Sequence, residues 1–252
     1  MKIAIIGYGK MGREIARKAE SQGIGVASVI DPTEPGAQYK AIDSQSLKGA
    51  DVAVDFSSPR SAIQNIRKVS SLGKNIVVGT TGWYDREEEA RKMIGKAGTG
   101  LIYGPNFSIG VNLFFKIVRN ASSLIDKAPM YDVFVSEWHH NQKEDSPSGT
   151  AKMLGEIITR EVRRKKKVVS GSPSRKLLPE ELDIASIRSG SMPGLHTVGF
   201  DSESDTIELT HTARSREGFA TGALLAAKWI NGKKGFYTME DLMSAILEGK
   251  TN

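Results

Sequence analysis

The chain has 252 residues, 39% of them hydrophobic, enough to bury a sizeable core as one large or two modest domains. It contains no cysteine, which excludes disulfides and thiolate metal sites, and its formal net charge of +6 suits nucleic acid and anionic small molecules equally. The N-terminal apolar run is too short for a signal peptide and no later run reaches the roughly 20 residues of a membrane span, "GALLAAKWI" being interrupted by Lys228, so a cytoplasmic protein is expected.

Taken in order, "KIAII" (2–6) reads as a buried strand and 10–22 as a helix. Further strands are predicted at 25–30, 52–56, 75–79 and 100–103, with helical spacing and glycine stops at 58–73 and 85–98. This alternation predicts an α/β fold with a doubly wound parallel sheet. From Ser108 the rhythm changes to an apolar helix (111–125), a strand (131–138) and a helix near 149–164. Strand patterns then follow at 183–190, 196–202 and 205–213, separated by turns, which predicts a second, antiparallel-rich α+β domain. The chain closes with helices at about 216–231 and 238–247, the turn "NGKKG" lying between them.

The first chemical motif is "GYGKMG", residues Gly7, Tyr8, Gly9, Lys10, Met11 and Gly12, directly after the first strand and opening a helix. Its three glycines permit a sharp turn, close approach of a pyrophosphate and tight packing of helix on sheet, the Rossmann-type arrangement. Asp31, at the end of the second strand, can accept hydrogen bonds from the adenosine ribose, and the residues after it, "PTEPG", offer no arginine for a 2′-phosphate. The cofactor is therefore NADH or NADPH, with NADH favoured, although Lys10 could reach a phosphate. Thr80 and Thr81 in "GTTGW" either cap the next helix or touch the nicotinamide side of the dinucleotide, and Asn106 in "GPNFSIG" is either a turn residue or a contact to the nicotinamide amide.

The densest cluster is "EWHHNQKEDSPSGTAK" (137–152), which holds two of the four histidines. His139 and His140 follow a strand, so their side chains point to opposite faces and cannot chelate one metal together; no metal site is expected. One imidazole can face a cleft as proton donor or anion contact, Lys143 adds a cation and a second proton source, and Ser148, Gly149 and Thr150 open a helix whose free N–H groups accept a carboxylate or phosphate. His211, Arg214 and Arg216, at the end of the last strand pattern, are weaker candidates for a contact to substrate. A dinucleotide-sensing regulator bound to nucleic acid would account for the positive charge and for "RRKKK" (163–167). No helix-turn-helix or aromatic RNA-binding pattern accompanies that run, which reads as a solvated helix end, so no nucleic-acid partner is expected.

These residues resemble the 4-hydroxy-tetrahydrodipicolinate reductase (dihydrodipicolinate reductase) family, whose pattern runs E-x-H-H-x-x-K-x-D-x-P-S-G-T-A. The likeness continues through "IAIIGYGKMGREI", "VDFSSP", "VVGTTGW", "PNFSIGVN" and "ELTHTARSREGFATGALLAAKWI", in the family's order over essentially the whole chain. The resemblance implies NAD(P)H-dependent reduction of a cyclic imine dicarboxylate to tetrahydrodipicolinate in lysine and diaminopimelate biosynthesis. It implies His139 as proton donor/acceptor, Lys143 as its partner, and substrate contacts at His140, Gly149 and Thr150, to which the helix start adds Ser148 as a donor to a substrate carboxylate. Cofactor contacts would fall on Gly7 through Gly12, Asp31, Gly79, Thr80, Thr81, Gly104, Pro105, Asn106 and Phe107. It further implies a dinucleotide-binding domain of residues 1–107, completed by helices within 216–252, a substrate-binding and oligomerisation domain of 108–215, and a homotetramer. A related amino-acid dehydrogenase, acting on aspartate or homoserine, would share the glycine loop but not the histidine cluster.

Overall fold

In the computed structural model, which describes residues 1–171 and 173–250, the chain opens with β1 (Lys2–Ile6), buried from Ile3 to Ile6. The glycine turn leads into α1 (Lys10–Ser21), which lays Gly12, Ile15 and Ala19 against the sheet. After β2 (Gly25–Ile30) the chain runs without a helix to β3 (Val52–Asp55). Then come α2 (Pro59–Ser71), started by Pro59 in its first turn, β4 (Asn75–Val78), a 3₁₀ turn at Tyr84–Arg86 and α3 (Glu87–Ala97). Three glutamates in the first turn of α3 suit its dipole, and Gly98, at φ 65°, ends it ahead of β5 (Gly100–Tyr103).

The second unit, Gly110–Ser215, takes up nearly all of α4 (Ile109–Ile125) and continues with β6 (Asp132–His139), α5 (Gly149–Glu161), β7 (Lys167–Ser170), β8 (Glu181–Arg188), β9 (Leu195–Asp201) and β10 (Thr206–Thr212). Its sheet runs β10-β9-β6-β8-β7. Alternate residues Val133, Val135, Leu182, Ile184, Val198 and Phe200 form one core with the apolar faces of α4 and α5. The sheet is mixed rather than antiparallel-rich: β6–β9 and β9–β10 are antiparallel, but β6–β8 and β7–β8 are parallel. β6 and β8 run parallel because the chain passes through α5 after β6 and re-enters the sheet in the same direction, and β6 then separates β8 from β9, which follow one another in sequence. The run "RRKKK" also departs from a solvated face. Lys165 is buried, its Nζ donating to the Glu181 carbonyl at 2.7 Å and pairing with Asp132 at 2.6 Å, and Lys167 begins β7.

The chain then returns to the first unit, Met1–Ile109 with Arg216–Asn252, through α6 (Glu217–Ile230), β11 (Gly235–Thr238) and α7 (Met239–Leu247); the last two residues of the predicted 216–252 segment lie outside the described residues. The sheet order β11-β5-β4-β3-β1-β2 is parallel throughout. Ile3 and Ile5 of β1 join a core with α1 and α6, whereas Ala4 and Ile6 join a second core with α2 and α3, so the sheet is covered on both faces as the doubly wound pattern requires. β11 is too short and too close to the Lys-Gly turn to show in the sequence pattern. Asn75 fixes it from outside: its side-chain amide donates to the carbonyls of Ile230 and Lys233 at 2.6 and 2.9 Å and accepts from Gly100 N at 2.7 Å.

Candidate active site

The three glycines of the first loop stand in three different surroundings. A Cβ on Gly7, whose φ is +88°, would come within 2.4 Å of the Phe56 carbonyl, and one on Gly12 within 2.0 Å of the Gly7 carbonyl, so turn and helix packing both exclude a side chain. Gly9 is exposed and a Cβ there meets nothing within 4 Å; it caps α1 without a side-chain bond, leaving open space above a helix N-terminus. A space of this kind, above a helix N-terminus, has room for an anionic group. Lys10 is exposed and Met11 half-buried in the first turn of α1.

Asp31 closes this loop from the side. Its Oδ2 accepts the Tyr8 amide at 2.8 Å, and its Oδ1 accepts the Thr33 amide, the Thr33 hydroxyl and the Glu34 amide at 2.9, 3.0 and 3.0 Å. Burial works against the charge, but these four donors outweigh it and hold the carboxyl at a pKa of about 2. The Tyr8 amide is thus spent on Asp31. Gly7, Gly9, Asp31 and Phe56 line a cavity of roughly 500 Å³, to whose lining Lys40 and Lys68 also belong.

Thr80 does not cap a helix. Its hydroxyl is buried between the Ser57 amide, which donates to it at 2.8 Å, and Asp55 Oδ1, to which it donates at 2.9 Å, while its carbonyl accepts from Trp83 Nε1. Asp55 is wholly buried at the end of β3, and burial raises its pKa although Ser57, Asn65 and Thr80 all donate to it. Thr81 is exposed, and α3 begins only at Glu87, so neither threonine has a capping role. A Cβ at Gly79 would fall 2.2 Å from the Phe56 ring and one at Gly104 2.6 Å from the Met239 side chain, so a substitution at either must displace that neighbour. Pro105 is exposed; Asn106 is buried and its Oδ1 accepts the Ser108 amide at 2.9 Å, a turn contact; Phe107 is in the core, edge-on to Phe56.

In the second unit, His139 is the last residue of β6 and is buried, while His140, one residue on, is half-buried. The sheet register places Glu137 opposite His196 of β9 and Ser186 of β8, His139 opposite Arg188, and His211 opposite His196. Two of the four histidines thus gather at one carboxylate, with His211 paired to one of them across the sheet. Glu137 Oε1 accepts from Ser148 N, Ser186 Oγ and Arg188 Nη2 at 3.0, 2.7 and 2.7 Å. Its Oε2 lies 3.3 Å from His139 Nδ1 and 3.6 Å from His196 Nε2. Burial opposes the charge on Glu137, but its imidazole, serine and arginine neighbours hold it far below the usual carboxylate range. Burial pushes His196 and His211 down, towards the neutral ring.

Ser148 is the buried N-cap of α5. Its hydroxyl accepts from Ala151 N at 3.2 Å and lies 3.1 Å from His196 Nε2, so its amide and its hydroxyl are both engaged. Gly149 is exposed with open space at its Cβ position, and Thr150 follows in the same turn. Lys143 Nζ pairs with Asp145 at 2.7 Å, and Arg188 Nη2 also donates to the Asp145 carbonyl, tying the 140–148 loop to Glu137. Arg214 and Arg216 are exposed. The sequence names neither Glu137, His196 nor Arg188 as functional. Alternation along β6 already puts Glu137 on the face of His139; His196 and Arg188 arrive only through strand register.

Glu137, His139 and His196 each offer one ligand atom within 4.8 Å of the others, a spacing that would admit a metal ion. The trio joins residues of two strands, so the adjacency of His139 and His140 in sequence does not reveal it. Its carboxylate, however, is already neutralised by the Arg188 guanidinium, which disfavours a second cation.

Family models described as "Dihydrodipicolinate reductase, N-terminus" and "Dihydrodipicolinate reductase, C-terminus" match residues 1–107 and 110–243. The 4-hydroxy-tetrahydrodipicolinate reductase of Christiangramia forsetii is 36% identical, covering 98% of this chain and 100% of the relative. That of Archaeoglobus fulgidus is 37% identical, covering 96% and 100%. Among solved structures, a dipicolinate-bound dihydrodipicolinate reductase from Paenisporosarcina sp. TG-14 superposes with a TM-score of 0.76 at 24% identity, over 96% of this chain and 99% of that one.

Proposed function

The chain belongs to the dihydrodipicolinate reductase family, and on that premise we propose how its side chains carry the family's reaction. The reaction is the NAD(P)H-dependent reduction of 4-hydroxy-tetrahydrodipicolinate to tetrahydrodipicolinate in lysine and diaminopimelate biosynthesis. When bound, the dinucleotide supplies the hydride. The open space over Gly9 and the free end of α1 suit its pyrophosphate, and the ionised Asp31 suits a ribose hydroxyl while repelling a 2′-phosphate, which favours NADH. Gly79, Thr80, Thr81 and residues 104–107 shape the remainder of this cradle through their backbone, since Thr80 and Phe107 turn their side chains inward.

The substrate side falls to the second unit. His139 donates the proton that completes the reduction, and Lys143 stabilises the negative charge that develops on the conjugated system, releasing Asp145 for a substrate carboxylate. The first turn of α5 at Gly149 and Thr150, with His140, receives the carboxylates; Ser148 fixes that turn from below. One observation carries this reading: a buried imidazole, a lysine and a helix N-terminus are gathered within a dozen residues at the end of one strand.

The other face of the same sheet supports contact with a further copy of the chain, as the proposed homotetramer requires. Opposite the α4 and α5 core, Phe134, Trp138 and Ile187 point outward, Trp138 facing Ile187 across the β6–β8 pair, with Ile187 52% exposed. Such an apolar sheet face suits a second copy of the chain. A cytoplasmic location agrees with the absence of cysteine, and among the described residues no helix is long and apolar enough to cross a membrane.

The test is oxidation of NADH and of NADPH with the freshly made condensation product of pyruvate and aspartate semialdehyde, with dipicolinate as competitor. Turnover blocked by dipicolinate, with the better kcat/KM for NADH, is expected. No turnover in folded, cofactor-binding protein would sink the assignment.

A further inference from the structure

Glu137 takes no part in the reaction as described, yet it is a fully buried carboxylate held by several donors. Three donors saturate Oε1, and Oε2 faces two imidazoles. The two imidazoles are not equivalent. The Ser148 hydroxyl accepts from Ala151 N, so its own proton is free for the ring nitrogen 3.1 Å away, His196 Nε2. A nitrogen that receives a proton this way has none to give to Glu137; the hydrogen of His196 then sits on Nδ1, a buried nitrogen that likewise has no acceptor among the described residues. Oε2 is then left for His139 Nδ1. Those two atoms are both buried, lie 3.3 Å apart, and have no hydrogen-bond partner among the described residues.

We propose that Glu137 is the positioning residue of the reaction: its Oε2 takes the Nδ1–H of His139, fixing the tautomer and ring orientation so that Nε2 is the nitrogen that exchanges a proton with substrate. This deepens the assignment of His139 as proton donor and rests on it. The chemistry is that of a buried carboxylate behind a working imidazole, which holds the ring without itself taking up the proton. Two features fit. A Cβ at Gly194 would come within 3.0 Å of His139 Nε2, so glycine leaves the working side of the ring uncovered. Arg188, bonded to Oε1, also holds the Asp145 carbonyl, so the loop bearing Lys143 is registered on the same carboxylate that orients His139.

The experiment uses the full chain labelled with ¹⁵N-histidine. Two-bond proton–nitrogen spectra above the imidazole titration range report the tautomer of each ring, His139 being assigned with the His139→Gln variant. Wild-type His139 is expected as the Nδ1–H tautomer, and Glu137→Gln is expected to lose that preference and to lower kcat about 100-fold while KM for NADH stays within about threefold. An Nε2–H tautomer in the wild type overturns the proposal, and so does a folded Glu137→Gln enzyme with unchanged kcat. The wild-type spectrum decides even where Glu137→Gln fails to fold. It also separates the two claims: a wild type that shows the Nδ1–H tautomer but does not reduce the imine dicarboxylate defeats the reaction assignment, not the orientation.

Discussion

Glu137 and Arg188 form an ion pair across neighbouring strands, Oε1 to Nη2 at 2.7 Å, in which the carboxylate side chain has no exposure and the guanidinium only 18%. Removing one partner of such a pair strands a buried charge. Arg188→Met should therefore cost about 3–5 kcal/mol of stability, read from urea unfolding of wild type and variant. A loss below about 1 kcal/mol would mean that Ser148 and Ser186 suffice to hold the carboxylate.

The acid limb of stability follows from the depressed carboxyls. The folded pKa of Asp31 is about 2 against an ordinary 3.8, so its contribution is complete above the ordinary value and is lost as pH falls towards 2. Asp31→Asn keeps the shape without this titration. Its Tm deficit relative to wild type is expected to be largest near neutral pH and to shrink between about pH 4 and pH 2. A deficit that stayed constant over that window would show that the four donors around Asp31 do not favour its ionised form.

How much of this was legible beforehand depends on the range of the interactions. The parallel sheet and its glycine loop are local: strand, turn and helix follow one another within residues 2–21, and Ile3/Ile5 against Ala4/Ile6 already show two buried faces. β11 and β7 are four residues each and acquire their identity from the strands beside them, Gly235–Thr238 from β5 and Lys167–Ser170 from β8. The same holds at the histidine cluster. His139, Lys143 and the Ser-Gly-Thr turn stand together in sequence, whereas Arg188 and His196 lie 51 and 59 residues beyond Glu137 and reach it only because β6 lies between β8 and β9. Thr80 misled for a related reason: a threonine after a strand looks like a cap until Asp55 claims its hydroxyl.

That claim can be tested. Thr80→Val retains the shape but removes the group that accepts from Ser57 N and donates to Asp55, so the Ser57 amide keeps only its bond to Asp55 and the buried carboxyl loses one of its donors. The expected loss is about 1–3 kcal/mol, accompanied by weaker NADH binding and unchanged dipicolinate affinity. Equal weakening of both ligands in titration calorimetry would argue that the effect is global instead of confined to the loops at the ends of β3 and β4.

The glycine loop gives the sharpest contrast, because two of its glycines serve different ends. A methyl group at Gly12 would sit 2.0 Å from a backbone carbonyl that cannot move without breaking the turn, so Gly12→Ala is expected to lose about 3 kcal/mol and to lower Tm clearly. At Gly9 the same methyl group meets nothing within 4 Å, and Gly9→Ala should keep the wild-type Tm. It would, however, occupy the open space over the N-terminus of α1, so NADH affinity should fall about tenfold or more while dipicolinate affinity is unchanged. A Gly9→Ala protein that bound NADH normally would place the pyrophosphate elsewhere, and with it the hydride; a Gly12→Ala protein of wild-type stability would show that the turn at Gly7 relaxes to admit a side chain.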